Sequence, residues 1–251
     1  MAENTKAQEN TATPAATEGE GKKRWGMVIN LDRCIGCWAC AVACKMENNQ
    51  PPGIWWNRIL TIGGEEHMDT SAGEYPRLEK YYMPFSCFHC DNAPCVKVCP
   101  VGATYQRDDG IVLVDYDKCI GCRYCMVACP YNMRVFNWQS PDYSATEGKE
   151  HGASEVPSRP RGVVEKCTFC VHRIDQGLDP ICTVVCPVQA RIFGDLNDPE
   201  SQVAEIVRSG ETVRIREELG TDPSTYYIPP RKQTLQRRGG YADPLTGEAV
   251  S

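Results

Sequence analysis

No apolar run in this chain approaches the roughly 18 to 20 residues needed to cross a bilayer. The longest candidates, GMVINL and GIVLVDY, are strand-sized, so any membrane attachment is expected through a partner. An excess of positive charge is missing as well. The formal net charge is -6, which argues against a general attraction to nucleic acid phosphates or anionic lipid. There is no Gly-rich nucleotide fingerprint, and no nucleophile or acid/base constellation stands above background, so substrate chemistry is not expected on this chain. The basic cluster Lys22, Lys23, Arg24 is followed by too short an apolar stretch for a secretory or twin-arginine signal. Residues 1–24 are therefore expected to be a solvated, disordered tail.

Cysteine is what the chain has in abundance: sixteen of 251 residues, in four groups of four with none left over. The groups are Cys34, Cys37, Cys40, Cys44; Cys87, Cys90, Cys95, Cys99; Cys119, Cys122, Cys125, Cys129; and Cys167, Cys170, Cys182, Cys186. The third, CIGCRYCMVACP, fits the CxxCxxCxxxCP run of bacterial ferredoxins. The first, CIGCWACAVACK, differs only in having Lys45 where the proline would stand. The second group widens the middle gap to four residues and the fourth widens it to eleven, and both keep the closing CxxxCP. Thiolates two residues apart can wrap an amide-rich loop around an iron–sulfur cubane, whose negative charge the loop N–H groups help to stabilise. The fourth cysteine comes a turn later on a short helix, points away from that loop, and in two-cluster ferredoxins ligates the other cluster. Zinc sites favour CxxC pairs with a longer spacer, and disulfides need an oxidising compartment. One spacing rule repeated four times points instead to four [4Fe-4S] clusters.

The spacers suggest which groups pair. PVGATYQRDDGIVLVDYDK, between Cys99 and Cys119, offers a strand ATYQR, a DDG turn and a strand IVLVD, about the length of a ferredoxin's central spacer. Groups two and three then form an inner module, 85–138, nested inside an outer module of groups one and four, 25–84 plus 139–228. The expected ligand sets are Cys34, Cys37, Cys40 with Cys186; Cys167, Cys170, Cys182 with Cys44; Cys87, Cys90, Cys95 with Cys129; and Cys119, Cys122, Cys125 with Cys99. The expected fold class is α+β: two bacterial-ferredoxin-like dicluster modules, one nested inside the other, with a β-hairpin insertion and flexible tails at 1–24 and 229–251.

In the insertion at 45–84, WNRILTIG and LEKYYMPF read as a hairpin around the polar loop GGEEHMDTSAGEYP. Residues 133–162, rich in Ser, Pro, Gly and Glu, read as a loop across the surface. DPESQVAEIVRSG reads as a short helix capped by Asp198, with Pro199 in its first turn and Gly210 at its end. TVRIRE and TYYIPP read as extended. With so few long apolar segments, the fold is expected to be held largely by its clusters. Lys45, Lys97, Arg123, Lys166 and Arg173 lie close enough in sequence to offset cluster charge. His89 and His172 sit in groups already supplied with four thiols and are not expected to ligate. Trp38, Phe88, Tyr124 and Phe169, inside CxxC gaps, are expected to shield the clusters from water.

GMVINLDRCIGCWACAVACKMEN, CFHCDNAPCVKVCPVGATY, DKCIGCRYCMVACPYNMR and EKCTFCVHRIDQGLDPICTVVCPVQARIFGDLNDPES, in this order, resemble one known family. It is the four-cluster iron–sulfur subunit of the dimethyl sulfoxide reductase class of molybdopterin oxidoreductases. The resemblance runs from about Gly26 to Ile228 and is similar in look to the small subunits of respiratory arsenate, tetrathionate and polysulfide reductases. All sixteen cysteines match, none replaced by Trp or Ser. The resemblance implies a non-catalytic electron-transfer subunit. It would carry four [4Fe-4S] clusters between a large subunit, holding a molybdenum or tungsten bis-pterin cofactor, and a quinone-handling membrane subunit or another donor. Without a signal of its own, such a chain would stay cytoplasmic or reach the periplasm by export with a partner, and would be membrane-associated through that partner. A freestanding polyferredoxin serving soluble oxidoreductases is the competing expectation. The 45–84 insertion and the long fourth group favour the docked subunit.

Overall fold

The computed structural model describes residues 22–62, 80–140, 151–156 and 159–230. The expected C-terminal tail from Arg231, the loop inside the hairpin insertion and most of the N-terminal tail lie outside these residues. β1 (Trp25–Asn30) reads WGMVIN, and Met27, Val28 and Ile29 are all buried, as a near-continuous apolar run in a central strand requires. It pairs antiparallel with β8 (Arg191–Asp195), Met27 opposite Phe193, and parallel with β9 (Thr225–Ile228), Val28 opposite Tyr226. This three-stranded sheet ties the segment before the first cysteine group to the segment after the fourth. The Tyr227 hydroxyl, buried on β9, donates to the Pro84 carbonyl at 2.9 Å and fastens the sheet to the insertion.

The insertion forms the expected hairpin. β2 (Arg58–Ile62) pairs antiparallel with β3 (Tyr81–Phe85), Leu60 opposite Met83. The spacer between groups two and three also folds back as expected. β4 (Thr104–Gln106) pairs with β5 (Val112–Val114), and Gly110 takes a φ of 86° in the turn, where its N–H donates to the Arg107 carbonyl at 3.0 Å.

Three expectations are corrected. The first concerns 133–162. Val135–Phe136 (β6) pairs with Val164–Glu165 (β7), and Met133, Arg134, Asn137, Val156 and Arg159 are buried. In its described part polar groups make buried hydrogen bonds, Arg159 Nε and Nη2 donating to the Asn48 carbonyl at 2.9 and 2.6 Å, while 141–150 and 157–158 lie outside the described residues. The second concerns Asp198, which does not cap the helix. Its carboxylate accepts from the Glu200 N–H at 2.9 Å in a local turn, so α6 (Gln202–Arg208) starts at Ser201, packed on β8 and β1 through buried Val203 and Ala204. The third concerns Arg24, read as part of the tail. Its N–H donates to Asp195 Oδ1 at 2.8 Å, its Nη2 donates to Ser224 Oγ at 2.7 Å, and it pairs with Asp91.

Gly121 is where the backbone is least forgiving. Its φ is 70°, and an added Cβ would meet the Gly162 carbonyl oxygen at 2.3 Å. Gly162 has a φ of 83°, but a Cβ there meets nothing within 4 Å. Gly162→Ala should cost only the left-handed backbone penalty, about 1–2 kcal/mol, and Gly121→Ala should cost more. Denaturant unfolding of the assembled protein checks this, and equal losses would contradict it.

Candidate metal centres

Each cysteine group follows one backbone course. The second residue after its first cysteine is left-handed: Gly36 (φ 68°), His89 (44°), Gly121 (70°) and Phe169 (55°). This curls the chain so that the following thiols turn toward a shared space. Glycine adopts the conformation freely, whereas His89 and Phe169 do so against a penalty of about 1–2 kcal/mol each. Both are buried, and their rings stack with centroids 3.8 Å apart, which offsets that penalty. The third cysteine then occupies the second residue of a helix in every group. Cys40 lies in α1 (Ala39–Glu47), Cys95 in α2 (Pro94–Lys97), Cys125 in α3 (Tyr124–Ala128) and Cys182 in α5 (Ile181–Val184), while α4 (Val171–Ile174) fills the widened gap of group four. The fourth cysteine comes one turn later. α1 packs against α5 and α2 against α3, so these later thiols face the partner group.

Cys44, Cys167, Cys170 and Cys182 line one cavity. Cys87, Cys90, Cys95 and Cys129 line a second, and Cys99, Cys119, Cys122 and Cys125 a third. Cys34 stands within electrostatic reach of Cys40 and Cys186, with Cys37 exposed on the loop between Cys34 and Cys40. Thiols of different groups lie within electrostatic reach of one another: Cys40 of Cys182, Cys87 of Cys167, and Cys95 of Cys125.

Among the described residues, no three His, Cys, Asp or Glu side chains converge where a single ion would sit. The thiols surround volumes instead. One zinc draws its sulfurs to about 2.3 Å from a single atom, whereas a [4Fe-4S] cubane takes four separate thiolates at its corners. Four thiols spread around each of these spaces therefore fit the cubane. Donors to sulfur are also in place: Ala190 N–H to Cys186 at 3.2 Å, Thr104 N–H to Cys99 and Phe169 N–H to Cys167 at 3.4 Å, and Gln50 Nε2 to Cys44 at 3.3 Å. Burial, then the thiols of Cys167, Cys170 and Cys182, pushes Cys44 well above the usual thiol range. Burial followed by Cys87 pushes Cys90 up to about 12, and burial followed by Cys182 does the same for Cys170. Such thiols are neutral in the metal-free chain, and their ionisation requires the positive charge of iron.

The flanking basic residues divide by position. Lys166 is buried, and Lys45 lies within electrostatic reach of Cys44 while donating to the Pro51 and Ile54 carbonyls; Lys97 donates to Asn92 and Arg173 to Glu47. Arg123 lines the third cavity, as expected, and stacks over the Trp138 ring, 4.5 Å from its centroid. His89 accepts from the Val112 N–H at 3.0 Å through Nδ1, and His172 contacts Glu47 at 3.1 Å. Phe88 and Phe169 are 1% exposed and shield the interior, but Trp38 and Tyr124 are 45% and 56% exposed and do not. Groups one and three lie at the outer ends of the thiol series, so their loop aromatics face outward. The sequence reading passes over buried Arg134 and Arg191. A repeated offset marks them: CPYNMR and CPVQAR place an arginine five residues after the last cysteine of groups three and four.

Two protein-family models described as 4Fe-4S dicluster domain match the chain, one over residues 33–103 and one over 78–150 and 156–196. A protein of Halobacterium salinarum assigned as an iron–sulfur subunit of dimethyl sulfoxide reductase is 58% identical over 81% of this chain and 78% of its own length. A selenate reductase subunit of Mesobacillus selenatarsenatis is 43% identical over 82% and 72%. The arsenate respiratory reductase iron–sulfur subunit of a Shewanella species is 40% identical over 82% and 96%. The chain belongs to the iron–sulfur electron-transfer subunits of the dimethyl sulfoxide reductase family of molybdopterin oxidoreductases.

If each of the four expected thiol sets holds one cluster, the sets predict which cysteines act together. Cys44→Ala should remove about a quarter of the bound iron, and Cys182→Ala added to it should remove little more. Cys44→Ala combined with Cys34→Ala should remove about half. Iron and acid-labile sulfide per chain distinguish the two double variants, and equal losses would contradict the sets.

Proposed function

We propose that the sixteen cysteines hold four [4Fe-4S] clusters in the sets given above, and that the chain relays electrons between a molybdopterin catalytic subunit and a quinone-linked membrane subunit or other redox partner. The observation that carries this reading is that three cavities are each lined by four thiols drawn from two cysteine groups, with electrostatic reach between Cys40 and Cys182, Cys167 and Cys87, and Cys95 and Cys125 linking them in series. When bound, a [4Fe-4S] cluster supplies reversible one-electron oxidation and reduction. The chain's own part is to fix the ligands, donate N–H groups to the sulfurs and exclude water with Phe88 and Phe169.

The same reading divides the chain into an inner module, 85–138, with groups two and three, and an outer module, 25–84 plus 139–228, with groups one and four, flanked by tails at 1–24 and 229–251. Cavities that each draw thiols from both groups of a module support the division. Partner docking is supported at both ends of the series. Ile35, Trp38 and Val42 are exposed beside group one, and Ile120, Tyr124 and Val127 beside group three, Val127 at 83%. Among the described residues no helix is long and apolar enough to cross a membrane, so on this reading a partner supplies any membrane contact. A menaquinone reductase iron–sulfur cluster-binding subunit of Nitratidesulfovibrio vulgaris, 43% identical over 88% of this chain, supports a quinone-linked partner.

Co-purification tests the proposal. A tagged chain isolated anaerobically from its native host should bring down a large molybdopterin-containing subunit, and the dithionite-reduced complex should be reoxidised by that subunit's electron acceptor. A chain that isolates alone and reduces several unrelated soluble oxidoreductases is a freestanding polyferredoxin, and the proposal fails.

A further inference from the structure

Three cations are buried among the thiols: Arg191, Lys166 and Arg134, at 3%, 1% and 2% exposure. Each stands at a different junction of the series. Arg191 Nη1 lies 3.7 Å from Cys182 Sγ, and the guanidinium also reaches Cys40, so it sits at the thiol pair joining the first two sets. Lys166 Nζ donates to the Cys167 carbonyl at 2.7 Å and to the Val112 carbonyl. Cys167 lines one cavity and Val112 the next. Arg134 lines that next cavity and reaches both Cys95 and Cys125, the thiols on the two sides of the last junction.

The hydrogen-bond partners of these cations carry no negative charge. Arg191 Nη2 donates to Asn57 Oδ1 at 2.8 Å, Arg134 Nη1 donates to Thr104 Oγ1 at 3.1 Å, and Lys166 donates to carbonyls. Arg191 Nε and Arg134 Nη2 are buried without a hydrogen-bond partner among the described residues. A buried cation without counter-charge is strongly unfavourable. The thiolates on either side, with the negative clusters they would hold, are the counter-charge at hand.

We infer that Arg191, Lys166 and Arg134 act as a set of fixed charges, one at each junction between successive four-thiol groups, and that each raises the reduction potentials of the two flanking centres together. The inference rests on the reading that the thiols hold redox-active clusters. An electron arriving at one centre repels the next, and a cation between them stabilises the reduced form of both. Because the three cations occupy successive junctions, their effects overlap pairwise along the series.

Redox titration of the full, anaerobically reconstituted chain, followed by electron paramagnetic resonance, tests this, with each centre assigned through Cys→Ala variants. In Arg191→Met, the ratio of reduced to oxidised form at a fixed poise should fall at least about tenfold, or about 59 mV, at the centres of Cys40 and Cys182 only. Lys166→Met should lower the centres of Cys182 and Cys95, and Arg134→Met those of Cys95 and Cys125. Arg191→Lys and Arg134→Lys, which keep the charge, should stay near the wild type. If a neutral variant does not hold its full iron, Asn57→Asp places a carboxylate against the Arg191 guanidinium without removing it and should lower the same two centres. Unmoved potentials, an equal shift of all four centres, or lysine variants that behave like the methionine ones would overturn the inference. Wild-type chain without redox-active clusters would instead overturn the functional reading beneath it.

Discussion

The meeting of thiols from distant parts of the chain is the constraint on which the rest of this structure depends. Cys44 shares a cavity with Cys167, Cys170 and Cys182, and Cys99 with Cys119, Cys122 and Cys125. As free thiols the buried ones among these, Cys44, Cys125, Cys170 and Cys182, contribute only as small hydrophobes. With iron bound, the same contacts become cross-links that close long loops, and their binding free energy becomes folding free energy. The short helices and two-stranded hairpins, marginal by themselves, then need to do little more than aim the sulfurs.

A polar interior supports the thiol frame. Glu165 is buried between Arg159 at 4.0 Å, the Asn137 amide at 2.8 Å and the Trp56 indole N–H at 3.2 Å. Arg159 in turn holds the Asn48 carbonyl, just past the end of α1. Removing one partner from such a network leaves an uncompensated charge in the interior. The returning segment is therefore bound to the end of the first cysteine helix by hydrogen bonds from Arg159. The buried cations at the thiol junctions extend the same logic toward the centres themselves.

The sequence made the cysteine groups legible because one spacing recurs four times, and it made the hairpins legible because turn residues separate β-prone runs. It was silent on the parallel pairing of β1 with β9, since strands at opposite ends of a chain carry no local signal of each other. Burial of the loop aromatics was misjudged for a similar reason. Phe88 and Tyr124 occupy comparable CxxC gaps, yet one is 1% and the other 56% exposed, because only tertiary placement decides which group lies inside the series. Arg134, Asn137 and Arg159 were read as part of a surface loop because composition cannot tell a hydrated side chain from one satisfied internally. Arg134 and Arg191 went unread because each arginine falls outside the cysteine spacing that drew attention.

The central claim is that these thiols enclose four redox-active iron–sulfur centres. The most direct test is to count iron and acid-labile sulfide in the anaerobically reconstituted chain while following its colour through a cycle of reduction and reoxidation. The account predicts about sixteen of each per chain, in a brown protein that bleaches with dithionite and recovers when reoxidised without air. A colourless chain holding zinc without sulfide, or one that saturates at about eight irons, would contradict it.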